Sequence, residues 1–242
     1  MRWSTLCCAL WLAGAAAQAA TLPSQSYGLP APPATALLHF DALDLSKLGQ
    51  EDDKAAASAQ PYRYAVGHAV KGVSILADGS KGGSWTELPD GRWLWRLAIT
   101  AEDAVSLDLG FSRFRLPHGA ELWFSDAAKT VVHGPYTDAD NARSGELWLP
   151  MVPGESAVVE LVVPAELREF VQLELARVNH GYRGIAGAPG QKSGTCNVDT
   201  ACTLGDAWRD QIRSVGRYTF SRNGSSFLCT GQLVNRTSGD RD

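Results

Sequence analysis

The chain is predicted to be mainly β, with an antiparallel sandwich or jelly roll over residues 62–180 and a separate hairpin in its last fifty residues. Three observations carry this. From about Tyr62 to Val178 the apolar residues recur with a period of two, and Gly, Pro, Asp and Asn clusters break that stretch into six to eight short runs. Near the C-terminus, two further strand-like runs flank Asn223-Gly224, a dipeptide suited to a two-residue hairpin loop.

In chain order, Met1-Arg2 followed by the apolar run Leu6 to Ala16 and by Ala17-Gln18-Ala19 has the layout of an export signal, with cleavage expected between Ala19 and Ala20. The apolar run is shorter than the ~20 residues that cross a bilayer, so residues 1–19 predict a signal and no membrane span. Residues 20–61 are rich in Ala, Pro, Ser and Gln and read as a mobile leader. A helix is expected near Asp41 to Ala57, and extended chain at Pro30-Ala-Pro-Pro33.

Within 62–180, Ser84 to Leu88 and Arg92 to Ile99 predict two strands around Pro89-Asp90-Gly91. Strict alternation in Val105-Ser-Leu107-Asp-Leu109-Gly-Phe111 predicts that Val105, Leu107, Leu109 and Phe111 share a buried face. Ala120 to Phe124, Ala157 to Val163 and Val171 to Val178 are further strands, the last with alternation that slips near its end. Five tryptophans, Trp85, Trp93, Trp95, Trp123 and Trp148, fall in this block. They pack a core, or Trp93 and Trp95 on one strand face form a platform for sugar rings.

Residues 181–192 are Gly-rich and poor in apolar side chains, as expected of an exposed linker open to nicking. Lys192 is the last basic residue before Ser193, and cleavage between them would create a new N-terminus just ahead of Cys196. Of five cysteines, Cys7 and Cys8 lie in the signal, leaving Cys196, Cys202 and Cys229. An odd number in an exported protein implies a free thiol, an intermolecular bridge or partners elsewhere, and their crowding near the C-terminus favours partners downstream. The Cys196-x5-Cys202 spacing lacks the tight Cys-x2-Cys of a zinc site, so no metal and no cofactor is expected. A net charge of -4 gives no nucleic-acid footprint.

No histidine among His39, His68, His118, His133 and His180 sits in a Thr-Ala-x-His-Cys segment, and no serine lies in Gly-x-Ser-x-Gly or Gly-Asp-Ser-Gly-Gly. No catalytic residue is therefore assigned. His118 and His133 read as solvated or hydrogen-bonded strand-edge residues, and Asp138-Ala-Asp140-Asn141 as a polar turn rather than a calcium loop.

Glu146-Leu-Trp-Leu-Pro-Met-Val-Pro-Gly-Glu155, Glu160-Leu-Val-Val-Pro164 and Leu173-Glu-Leu-Ala-Arg-Val-Asn-His-Gly-Tyr-Arg-Gly184 resemble the propeptide of the lysyl endopeptidase family of secreted bacterial trypsin-like proteases. Ser193-Gly-Thr-Cys-Asn-Val-Asp199, Cys202, Gly205-Asp206, Arg209 to Gly216 and Cys229-Thr-Gly-Gln-Leu-Val-Asn235 resemble the start of the mature enzyme. The resemblance implies a sandwich propeptide at 62–180, then residues 193–242 as the first hairpin of an incomplete trypsin-like β-barrel. It implies that Cys229 pairs with a cysteine beside the catalytic histidine, and that Cys196 and Cys202 bridge to later cysteines. The partners it implies are peptide substrates of the parent enzyme and an intramolecular contact between propeptide and protease.

The segments that carry a triad follow the Cys-x-Gly-x-Leu-Val strand in such enzymes, so the chain reads as a pre-pro region with the first slice of a catalytic domain. The resemblance implies acyl transfer after a basic residue, and Lys192 points to lysine first, arginine second. Strand candidates Ser214 to Phe220 and Ser226 to Asn235 make a lone hairpin that is marginal in water unless the sandwich domain shelters it. The rival readings are a secreted glycan-binding module using Trp93 and Trp95, and a standalone inhibitor.

Overall fold

The computed structural model describes residues 21–185 and 203–233. Their strands are β1 (Leu37–Phe40), β2 (Tyr62–Ala69), β3 (Ser74–Leu76), β4 (Gly79–Lys81), β5 (Ser84–Glu87), β6 (Trp93–Ala101), β7 (Ser106–Arg115) and β8 (Glu121–Asp126). The series continues with β9 (Val132–Tyr136), β10 (Leu147–Trp148), β11 (Val152–Pro153), β12 (Ser156–Val163), β13 (Gln172–Gly181), β14 (Val215–Arg222) and β15 (Ser225–Gln232). Helices are α1 (Pro23–Ser26), α2 (Leu45–Ala57) and α3 (Arg209–Ser214).

The strands form two sheets. One runs β1-β6-β12-β8-β9, with β5 beside the first half of β6; the other runs β10-β7-β13-β2-β15-β14, with β11 on β7 and the β3-β4 pair on β13. All pairings are antiparallel except β1 with β6. One apolar core joins the sheets: Trp95, Leu97 and Ile99 of β6 and Val159 and Leu161 of β12 share it with Leu107, Leu109 and Phe111 of β7 and Leu173 and Leu175 of β13. A mainly β, two-sheet antiparallel fold is what the period of two predicts.

The β5-β6 hairpin forms as expected, with Trp85 opposite Trp95 and Gly91 taking a positive φ of 83° at the turn. The slip in alternation near Val178 is also real. The β7-β13 register shifts between Glu174 and Leu175 and again between Leu175 and Arg177, which returns Val178 to the buried side. Val105 departs from expectation. It lies just before β7 and is 47% exposed, because the chain is still turning after Asp103, whose φ is 62°, and alternation begins only at Ser106.

The 20–61 segment was expected to lie outside the sandwich as a mobile leader, yet its described part is woven into the fold. Leu37–Phe40 is a sheet strand, and Leu22 and Ala36 are fully buried. The reason lies on the outer face of the first sheet, where β6 and β12 place Leu94, Val162 and the register partners Arg96 and Glu160. The apolar pair is covered by Leu88, Tyr27 and Leu29. Glu160 accepts the Ser24 amide at 2.8 Å, and Arg96 donates to the Pro30 carbonyl at 2.5 Å. A buried ion of either sign needs such partners, so the leader is tied down by the charges it covers. The helix expected near Asp41 to Ala57 is α2, capped by Asp44, whose carboxylate accepts the Lys47 amide.

Leu161 is fully buried between the sheets. Leu161→Ala is expected to lower stability by about 2–5 kcal/mol, read from the urea midpoint at unchanged slope.

Candidate functional site at the junction of domain and hairpin

Strand β2 has β13 along one edge, from Arg177 opposite Ala69 to Gly181 opposite Ala65. Its other edge carries the C-terminal hairpin. Ser225 and Ser226 lie opposite Val66 and Ala65, and after a one-residue shift Phe227 and Leu228 lie opposite Arg63 and Tyr62. The Gly67 amide donates to the Gly224 carbonyl at 2.8 Å. The hairpin turns through Asn223 and Gly224, with φ of 50° and 75°, the two positive values that a tight two-residue loop requires. An edge that would otherwise present open N–H and C=O groups is thereby paired.

A polar thread crosses these four strands and the neighbouring β7. Asp108 alternates with Leu107 and Leu109 and so faces away from the core, yet it is only 7% exposed. Its carboxyl accepts from the Tyr64 hydroxyl at 3.0 Å and from the Asn179 amide at 2.5 Å. Asn179 also donates to Ser221 Oγ at 3.4 Å, and Ser221 and Ser226 hydroxyls lie 2.7 Å apart. Burial pushes the Asp108 carboxyl up to about 6, against the pull of its two donors. Burial, then the Asp108 charge, pushes the Tyr64 hydroxyl well above its ordinary value.

Gly67 makes the crossing possible. A Cβ there would lie 2.7 Å from Arg177 Nη1 and 2.9 Å from Asn179 Oδ1, two buried atoms that have no hydrogen-bond partner of their own. A cavity of about 390 Å³ adjoins the thread, between Asp108 and Met151 on one side and Arg217, Tyr218 and Leu228 of the hairpin on the other.

Where the chain leaves β13 it is clamped by α2. Asp52 accepts from Tyr182 at 2.7 Å and Arg183 at 3.0 Å, and pairs with Arg63 at 2.9 Å. Burial, then the Asp52 contact, pushes the Tyr182 hydroxyl up to about 12. Arg217 of β14 reaches across to the Ile185 carbonyl at 2.9 Å, so the departing chain also touches the hairpin.

Residues 36–182 match the lysyl endopeptidase N-terminal domain, and residues 190–242 match the lysyl endopeptidase C-terminal domain. The chain belongs to the lysyl endopeptidase family. It is 32% identical over 169 residues to the lysyl endopeptidase of Pseudomonas aeruginosa, a stretch that covers 62% of this chain and 35% of that relative. The chain thus spans about a third of the length of the curated relative it matches. No solved structure matches it. Family membership gives the chain a protease-related function, and the seam between its two lysyl endopeptidase domains falls at the junction just described.

Of the residues singled out in the sequence, Ala19, Ala20, Lys192, Ser193, Cys196 and Cys202 lie outside the described residues. Cys229 is a half-buried free thiol opposite Tyr218, whose hydroxyl it pushes above the ordinary value. The Trp93-Trp95 sugar platform is not formed. Trp95 is 1% exposed in the core and donates to the Gly82 carbonyl, while Trp93 packs edge-on to Trp85 under the Arg168 guanidinium. Register alone puts both indoles on one face, but that face is the interior.

His118 is exposed beside Asp138, and His133 lies 3.1 Å from the Met151 carbonyl. Asp140 and Asn141 are spent on the Thr137 and Leu116 backbone, as a polar turn requires. Among the described residues, His39, Asp41 and Glu102 stand close enough to share a cation, but all three are exposed and pair with one another. The junction residues Tyr64, Asp108 and Asn179 were not singled out beforehand. Gly67 within a strand was the available signal, since such a glycine marks a close approach.

Gly67→Ala is expected to loosen the hairpin by about 1–3 kcal/mol, seen as faster limited proteolysis within 215–232. Gly216→Ala, where a Cβ meets open space, should cleave at the parent rate.

Proposed function

We propose that the N-terminal domain is the folding template and inhibitor of a secreted serine endopeptidase that cleaves after lysine, and that it works by adding its β2 edge to the first hairpin of the protease domain. The observation that carries this is the pairing of β15 with β2. A two-stranded hairpin has no core of its own, and antiparallel barrels assemble slowly because their contacts are distant in sequence. A preformed strand beside the first hairpin supplies backbone partners before the remaining strands arrive.

The hairpin segment supports the same reading through what it leaves uncovered. Leu204, Trp208, Val215, Tyr218 and Leu233 are all exposed. Apolar side chains at this density call for a further surface to cover them, and the body of a protease domain meets that need. The acyl-transfer residues, a serine nucleophile with its histidine base and orienting aspartate, are assigned to the rest of the enzyme. Residues 1–19 direct export, and Cys229 with Cys196 and Cys202 bridges to that remainder.

Maturation is assigned to the bond between Lys192 and Ser193, where the enzyme's own preference for lysine makes processing autocatalytic. Lys192→Gln in the complete precursor is expected to abolish the product whose N-terminal sequence starts Ser-Gly-Thr. Unchanged processing rules out this site. The 20–192 piece, added in excess to the mature protease, should slow hydrolysis of a lysyl peptide; full activity at high excess would sink the inhibitor role.

A further inference from the structure

We propose that the thread of Tyr64, Asp108, Asn179, Ser221 and Ser226 is a pH-dependent latch, holding the hairpin on β2 in acid and loosening it as the medium turns neutral. The proposal rests on the template reading above and adds its regulation. Its basis is geometric. One carboxyl group, hidden on what would be a solvent face, is hydrogen-bonded on one side to the strand that receives the hairpin. On the other side it is linked through Asn179 to a hydroxyl pair belonging to the hairpin itself.

Two donors reach the carboxyl, and a carboxylate offers about four acceptor sites. The charged form is therefore under-solvated in the docked state. Once the hairpin leaves, water reaches the cavity shared by Asp108, Arg217 and Tyr218, and the ionised form recovers its hydration.

The sign follows from the two states. Docked, Asp108 holds its proton up to about 6; exposed, it reverts toward the ordinary 3.8. Docking therefore takes up a proton across that window. The hairpin is held most tightly below about 4, progressively less up to about 6, and at a constant lower level above that. A difference of about two pH units corresponds to a loosening of up to about a hundredfold.

Other titratable groups around the thread act differently. On β13, Arg177 brings its guanidinium to Gly67, and on β14 Arg217 donates to the Ile185 carbonyl. Tyr64 and Tyr218 stay protonated, their hydroxyls held above the ordinary value. His68 of β2 and His180 of β13 lie with ring nitrogens 3.4 Å apart, and burial holds both below the ordinary histidine value. Burial disfavours their charged form, so their protonation loosens the packing in acid, opposite in sign to the latch, and Asp108 variants isolate the carboxyl's share.

The test is hydrogen exchange on the full chain, expressed as protection factors for the amides of 225–228, at about pH 4 and about pH 7.5. Protection should fall by roughly 10- to 100-fold between the two, while β6 and β12 amides stay protected. Asp108→Asn, neutral at every pH, should remove that fall. Tyr64→Phe, which deletes a donor to the carboxylate, should move its midpoint upward. Equal protection at both pH values overturns the latch and leaves the strand pairing intact. Protection at neither overturns the template reading and the latch with it. A fall that persists in Asp108→Asn places the pH response on some other group and overturns the latch.

Discussion

Strand β2 lies inside its sheet only because the hairpin occupies its second edge. Without β15, the backbone groups from Tyr62 to Val66 would face water as an open template; without β2, the hairpin would be two strands with exposed faces on both sides. Each backbone hydrogen bond across this seam contributes only about 0.5–1.5 kcal/mol net, so the pairing is strong enough to order a hairpin and weak enough to be undone. That balance suits the template role proposed above.

The rest of the molecule stiffens β2. Its inner edge is held by β13, which is bound in turn to β7 and the core; Phe40 from the opposite sheet stacks on His68 at 4.4 Å. Helix α2 buries none of its residues, so packing does not hold it; Asp52 does, through Arg63, Tyr182 and Arg183. These contacts secure both ends of the receiving strand and the point where the chain departs toward the seam between the two lysyl endopeptidase domains.

Some polar residues at this seam carry a cost that only the seam explains. Asp108 sits where alternation puts it toward solvent, and in an isolated sheet it would be an unremarkable surface carboxylate. The hairpin covers that face. Asn179 reaches over β2 because Gly67 has no side chain, leaving its own Oδ1 and Arg177 Nη1 without partners. Buried polar groups left short of partners are expensive, and here they lie beside the pairing of β2 with the hairpin.

Local chemistry made much of the fold legible in advance. The period of two marked β6, β7, β12 and β13, Pro89-Asp90-Gly91 and Asn223-Gly224 marked two turns, and the broken alternation before Val178 marked a bulge. All of these depend on neighbours within a few residues, which a sequence displays directly. Val105 and the leader lie elsewhere than their local sequence suggests, and of the two readings of Trp95 the core one holds, because burial is decided by what packs from elsewhere: Glu160 and Arg96 capture residues more than sixty positions away, and the indole faces inward because a second sheet covers it. The sequence by itself determined the long strands of the core, the hairpin and the family. Which edge the hairpin joins, and that Asp108, Tyr64, Asn179 and two serines meet there, was decided by tertiary structure, since strand pairing over such separations rests on backbone groups that are the same in every residue.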